Sequence, residues 1–303
     1  MFETLGRRTI LSLAKSPGVG RLVRRFGPAF GATRFVAGET VAAAMQAVAA
    51  ANRDGILATL DHLGESVADR RAAEQAADSY LEILDAIAQT GVKSNASLKL
   101  TMMGLDIDRD LAVTNLRRVL DRARTHGNFV RIDMESSAYT DVTLDIYREV
   151  RAAGYDNVGV VIQAYLYRSE ADLAALDQLA PNVRVVKGAY QEPAAVAYPV
   201  KADTDRSYRR LVQRQIGHGF YTAVATHDPA LIQSTLGLHA DGDRYEFQML
   251  YGIRSGLQRE LAQAGHRVRV YIPFGTEWYP YLMRRLAERP ANLGFVVRNL
   301  MQR

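Results

Sequence analysis

Two stretches of this 303-residue chain combine side chains that can do chemistry. Residues 183–190 read Val-Arg-Val-Val-Lys-Gly-Ala-Tyr, an apolar run that delivers Arg184 and Lys187 near its exit. Residues 281–288 read Tyr-Leu-Met-Arg-Arg-Leu-Ala-Glu. In a helix, Tyr281 lies three and four positions before Arg284 and Arg285, and Glu288 follows them at the same spacings. One aromatic, two guanidinium groups and a carboxylate therefore share nearly one face. Adjacent guanidinium groups form a fork that suits a carboxylate. Together the stretches point to one site for a phosphorylated cofactor and one for a carboxylate substrate. The plainer alternatives are a solvated strand lysine and an exposed helix with Arg–Glu pairs.

The elements that must position these groups alternate regularly from residue 55 onward. Short β-rich runs fall near 56–61, 96–101, 129–134, 157–164, 183–188, 221–226, 245–250 and 268–274. Helical stretches fall near 67–90, 109–126, 140–153, 169–180, 203–217, 229–238, 255–264 and 277–289. Gly91, Gly127, Gly154, Gly219 and Gly265 stand at or just past helix ends, where a left-handed cap favours glycine. Eight strand–helix units predict an α/β protein with a closed (βα)8 barrel. A doubly wound open sheet is the alternative, but no Gly-x-Gly-x-x-Gly turn follows the first strand. The alanine-rich stretch 39–52 adds a helix before the barrel. The expected organisation is an N-terminal helical arm, 1–54, followed by the catalytic barrel, 55–303, with its last helix over the mouth.

Barrel enzymes work at the carboxyl ends of their strands. Here the runs end in polar groups: Lys99, Arg131 and Asp133, Gln163, Arg184 and Lys187, Thr226-His227-Asp228, Glu246 and Gln248, and Tyr271. Alternation opposes Leu98 and Leu100 to Lys99, and Val130, Ile132 and Met134 to Arg131 and Asp133, so the charges face the barrel axis. Each has a structural explanation: Asp133 can satisfy Arg131 or Lys99, the glutamines can pair locally, and Asp228 before Pro229 can cap a helix. The expectation of a site rests on convergence, since buried unpaired charges cost several kcal/mol.

Composition excludes several classes. There is no cysteine, hence no disulfide, iron–sulfur cluster or thiolate zinc site. The six histidines show no His-x-x-x-His spacing, so no metal site is expected. No charge-free stretch approaches the ~20 residues a membrane-spanning helix needs. The start lacks the apolar core of a secretory signal, and the expected location is the cytoplasm. Net charge is +5, but residues 1–36 carry Arg7, Arg8, Lys15, Arg21, Arg24, Arg25 and Arg34 against Glu3, which is +6 and leaves −1 for the rest. A basic arm on a neutral body does not suit nucleic acid. With Leu5, Ile10, Leu11, Leu13, Leu22, Val23 and Phe26 interleaved, it is either a packing helix or a surface for anionic lipid on the inner face of the cell membrane.

The chain resembles the flavin-dependent proline dehydrogenases, in the short single-function bacterial form related to the dehydrogenase domain of the bifunctional proline utilisation proteins. The segments that carry the resemblance are Leu-Gly-Glu at 63–65, Leu-Lys-Leu at 98–100, Ile-Asp at 132–133 and Gln-Ala-Tyr at 163–165. They continue with Arg-Val-Val-Lys-Gly-Ala-Tyr at 184–190, Ala-Thr-His at 225–227, Glu-Phe-Gln-Met-Leu at 246–250, Val-Tyr-Ile-Pro-Phe-Gly at 270–275 and the helix 281–288. Gln191 departs from the pattern, which in the long fusion proteins has tryptophan there.

The resemblance implies a distorted (βα)8 barrel with non-covalent FAD across the strand ends. It implies oxidation of L-proline to Δ1-pyrroline-5-carboxylate, the first step of proline catabolism to glutamate, with electrons passed to a membrane quinone. It further implies transient contact with a pyrroline-5-carboxylate dehydrogenase. By motif, Arg284, Arg285 and Lys99 would hold the proline carboxylate, Tyr271 and Tyr281 would wall the ring beside Leu250, Asp133 would orient the cations, and Glu65 would pair with Arg284 as a gate. Gln163, Arg184, Lys187, Gly188, Ala189, Thr226, His227 and Glu288 would contact the cofactor. Two rival readings stand beside this one: a Schiff-base aldolase using Lys99 or Lys187, and a basic membrane-binding scaffold without activity.

Overall fold

The computed structural model describes residues 34–64 and 66–288, with side chains described through Met283. Eight strands run parallel and close in sequence order: β1 Leu57–His62, β2 Ser94–Leu98, β3 Val130–Ile132, β4 Val158–Gln163, β5 Val183–Val186, β6 Thr222–Ala225, β7 Tyr245–Leu250 and β8 Val268–Phe274, with β8 pairing back to β1. The helices between them are α2 Arg70–Thr90, α3 Arg109–Thr125, α4 Thr140–Ala152, α5 Ser169–Ala174, α6 Lys201–Gly217, α7 Pro229–Leu236 and α8 Ser255–Gln263. The expected (βα)8 barrel is the fold.

Local sequence explains where these elements begin and stop. Asp69, Asp108 and Asp228 cap α2, α3 and α7 by accepting from the backbone N–H of Ala72, Leu111 and Ala230, and Pro229 fills the first turn of α7. Strand residues alternate as expected. Ala58, Leu60, Ala96, Leu98, Val130 and Ile132 are fully buried against the helices and form one core with Tyr80, Ile83, Leu84, Leu116 and Tyr147. The second and third strands are shorter than expected, which leaves Lys99 and Asp133 one residue past them. The helix expected over 169–180 stops at Ala174 and resumes as a single 3-10 turn, Asp177–Leu179, after which Ala180 is left-handed at φ +42°, outside the helical region that Pro181 disfavours for it.

The ring of helices contains one substitution that matters for function. Helix α1, Val41–Arg53, packs against β1 and β8, with Ala44, Met45 and Val48 in the main core. It thus fills the ring position between the first and last strands. Helix α9, Trp278–Glu288, which follows β8, lies instead on the carboxyl face. Trp278, Tyr279, Tyr281, Leu282 and Met283 form a separate apolar cluster with Phe35, Val36 and Leu63, joined by Ile253. The segment before α1 is stitched to the same face: Ala37 N–H donates to Pro273, Gly275 N–H to Gly38, and Trp278 Nε1 to Glu39 Oε1 at 3.0 Å. Gly275 turns the chain from β8 to α9 at φ +123°, where an added Cβ would lie 2.9 Å from the His62 ring. The last helix therefore sits over the mouth because α1 has taken its place in the ring.

Candidate active site

The inward-facing polar residues separate into two layers. In the lower one, toward the amino ends of the strands, Arg131 Nη1 donates to the carbonyls of Val160 (3.1 Å) and Asn182 (2.6 Å), and Nη2 donates to Asn182 Oδ1. Glu246 accepts from Arg269 Nε at 2.7 Å and from Gln248 Nε2, and Arg269 Nη1 reaches the carbonyl of Ala58. Arg131, Glu246 and Gln248 therefore close the barrel floor. This corrects the expectation that these groups converge on the mouth. Alternation tells which side chains point inward, but not whether a long one bends up or down.

The upper layer is built around Asp133. Its Oδ1 accepts from Arg184 Nη1 at 2.6 Å and Ser97 Oγ at 2.8 Å, and its Oδ2 accepts from Tyr271 at 2.8 Å. The Arg184 guanidinium also lies 5.2 Å from the centre of the Tyr271 ring. Burial, reinforced by Asp133 and Asp61, pushes the Tyr271 phenol well above its ordinary value, so it remains a donor. Beside this group, Lys99 Nζ stands 3.5 Å from Asp61 Oδ1. Burial opposes the Lys99 charge, but Asp61 and Asp133 outweigh it and hold the ammonium above its ordinary pKa. The carboxyl of Asp61 is raised by its own burial against the pull of Lys99.

The residues expected to hold a cofactor lie along the ends of β4, β5 and β6. Gln163 is buried at the end of β4, and its Oε1 has no partner among the described residues. Arg184 Nε is likewise buried without one. A free acceptor and a free donor on neighbouring strands fit a heterocycle edge that both donates and accepts. Gly188 has φ +115°, and an added Cβ would lie 2.3 Å from the Tyr165 ring, so the backbone here must stay bare. Ala189 follows it, exposed. Lys187 bonds Asp205 (2.6 Å) and Asp228 (2.9 Å), and Lys201 joins both carboxylates. Although burial works against it, the two lysines hold the Asp228 carboxyl well below the usual range. Thr226 Oγ1 accepts from Asp228 N–H, and His227 Nε2 accepts from Leu250 N–H at 2.9 Å. The 188–200 loop is pinned across this face by Glu192, which accepts from the N–H and hydroxyl of Ser137.

The structure thus brings Lys99, Asp133, Gln163, Arg184, Lys187, Gly188, Thr226, His227, Leu250 and Tyr271 to one face. Tyr281 belongs to the buried apolar cluster of α9 on that same face. The backbone of α9 carries Arg284, Arg285 and Glu288, whose side chains lie outside the described residues, as does Glu65. Sequence reasoning passed over Asp61, Ser97 and the Ser137–Glu192 clasp. Asp61 had a signal in the inward alternation of Thr59 and Asp61, whereas the clasp pairs residues 55 positions apart.

A family model described as proline dehydrogenase matches residues 44–298. Proline dehydrogenase 1 of Bacillus subtilis is 44% identical over 301 residues, covering 98% of this chain and 99% of that protein. A proline dehydrogenase of Deinococcus radiodurans is 46% identical over 310 residues, covering both chains in full. Among solved structures, proline utilization A from Bdellovibrio bacteriovorus, inactivated by N-propargylglycine, superposes with a TM-score of 0.78 at 26% identity. That match covers 88% of this chain and 33% of the longer one.

Proposed function

The chain belongs to the proline dehydrogenase family, and on that premise we propose that it oxidises L-proline to Δ1-pyrroline-5-carboxylate with non-covalently bound FAD and passes the electrons to a membrane quinone. The observation that carries this reading is the unpartnered pair, Gln163 Oε1 and Arg184 Nε, buried at the strand ends beside the Asp133–Tyr271 group. Gln163, Arg184, Lys187, Gly188, Ala189, Thr226 and His227, with Glu288 from α9, would hold the cofactor. FAD, when bound, supplies the hydride acceptor.

The chain's own residues bind and orient the substrate. Lys99 offers a protonated ammonium to the proline carboxylate, and Arg284 and Arg285 complete a three-cation cradle. Tyr271 is fixed by its bond to Asp133, and with Tyr281 and Leu250 it walls the ring, so that the carbon next to nitrogen is held in one orientation. Asp133 keeps Arg184 and Tyr271 in register. The amine must be neutral, since its lone pair stabilises the developing iminium. Glu65 is assigned as the gate partner of Arg284. The catalytic unit is 55–303, with α1 from the preceding 1–54 completing the ring, and the enzyme is assigned to the cytoplasm. The basic arm up to Phe26 lies outside the described residues, and packing on the barrel and docking on the inner face of the cell membrane stand as its two readings. A Schiff-base aldolase has less support: a nucleophilic lysine must be neutral, and both candidates are ion-paired, Lys99 with Asp61 and Lys187 with Asp205 and Asp228.

Mass spectrometry of the product tests this reading. With FAD and a soluble quinone, the protein should convert L-proline to a product lighter by two hydrogens. Unchanged proline under those conditions would contradict it.

A further inference from the structure

A buried ammonium keeps its proton only beside a counter-ion. The Lys99 side chain is 14% exposed, and the obvious counter-ion, Asp133, is already taken. One of its oxygens serves Arg184 and Ser97, and the other serves Tyr271. Among the described residues, the carboxylate within ion-pair reach of Lys99 is Asp61. Asp61 lies on β1 opposite Ser97 of the neighbouring β2, and Lys99, just past the end of β2, is two residues beyond that partner position. Asp61 is 1% exposed, and its Oδ1 accepts no hydrogen bond. The groups facing it are Lys99 after β2, Asp133 after β3, Tyr271 from β8, Tyr80 from α2 and its neighbour His62. Lys99 in turn faces Asp61, Asp133, Glu135 and Tyr190.

We propose that Asp61 is a positioning residue whose carboxylate keeps the Lys99 ammonium charged and aimed at the mouth, ready for the substrate carboxylate. Serine, tyrosine and arginine have first claim on Asp133, so Asp61, the carboxylate in ion-pair reach, contributes most to holding the charge of Lys99. The inference rests on Lys99 as a carboxylate anchor, and its test separates the two claims.

The test uses the full-length, FAD-loaded protein and cyclopentanecarboxylate, a ring acid that has no amine to titrate. Its binding is followed by the change in the flavin spectrum from about pH 6 to about pH 9, a window that spans a lysine pKa lowered by burial. For the native protein, affinity should stay flat across the window. In Asp61→Asn it should weaken as pH rises, by about tenfold per unit above the lowered lysine pKa. Asp61→Glu, which restores the charge, should return the flat profile, and Lys99→Met should bind weakly at every pH. Asp61→Ser carries the same test if the asparagine variant does not fold. Weak binding by Lys99→Met with a flat, native-like profile for Asp61→Asn would overturn the role of Asp61 alone. Native-like binding by Lys99→Met would overturn the anchor itself, and the inference with it.

Discussion

The floor and the mouth of the barrel interior use the same side-chain types to different ends. On the floor, Arg131 and Arg269 spend their donors on backbone carbonyls and on Asn182 and Glu246, and Glu246 Oε2 is the atom left over. At the mouth, Asp133 is saturated, yet Gln163 Oε1, Arg184 Nε and Asp61 Oδ1 are left without hydrogen bonds. The floor cations end on the chain itself, as structural charges do. Those of the mouth leave polar atoms unpaired where α9 and the 188–200 loop close over them. The difference teaches that an inward-facing cation in a barrel signals function where its donors are not all spent on the chain, as at Arg184 Nε.

Breaking the floor should have the largest effect, and on stability. Glu246→Ala removes one partner of a buried ion pair and should cost about 3–5 kcal/mol. Urea unfolding measures this, and the folded enzyme should keep its KM for proline. A raised KM with unchanged stability would erase the distinction between the layers. At the mouth, Arg284→Met and Arg285→Met should each weaken proline binding by about 2–5 kcal/mol while flavin content holds. Unchanged Michaelis constants in both would remove α9 from the site.

A finer test is Tyr271→Phe, which deletes the hydrogen bond to Asp133. Leaving Asp133 Oδ2 without its donor should cost about 1–3 kcal/mol of stability, and kcat/KM for proline should fall as well. An unchanged kcat/KM in the folded variant would class Tyr271 with the floor. The smallest effect concerns acid. Arg269 and Gln248 hold the Glu246 carboxyl below its ordinary 4.5 despite its burial, so the unfolded chain binds the proton more tightly. The resulting stability is present above about pH 4.5 and is lost as pH falls through the lower folded value. Glu246→Gln should flatten that acid limb in denaturant midpoints measured against pH.

Most of the barrel was legible because strand–helix units repeat eight times, with left-handed glycines Gly91, Gly127, Gly154, Gly219 and Gly265 closing five of the helices, and the strand ends named most of the residues at the mouth. Three features were not. The direction in which Arg131 and Glu246 bend depends on strand stagger, which no local pattern encodes. The last helix was expected over the mouth, but the packing of α1 between β1 and β8 in its stead was not, because that contact joins segments from both ends of the chain. The pairing of Asp61 with Lys99 was half visible: both point inward on adjacent strands, but Asp133 looked like the nearer partner until Ser97, Arg184 and Tyr271 were seen to occupy it.

The most direct test of the central claim is an anaerobic titration of the FAD-loaded protein with L-proline, followed by visible absorbance. The account predicts a yellow protein whose flavin bleaches on proline addition, faster as pH rises from neutral toward alkaline because more of the amine is neutral. A protein that retains no flavin after reconstitution, or one whose flavin spectrum proline leaves unchanged, would contradict it.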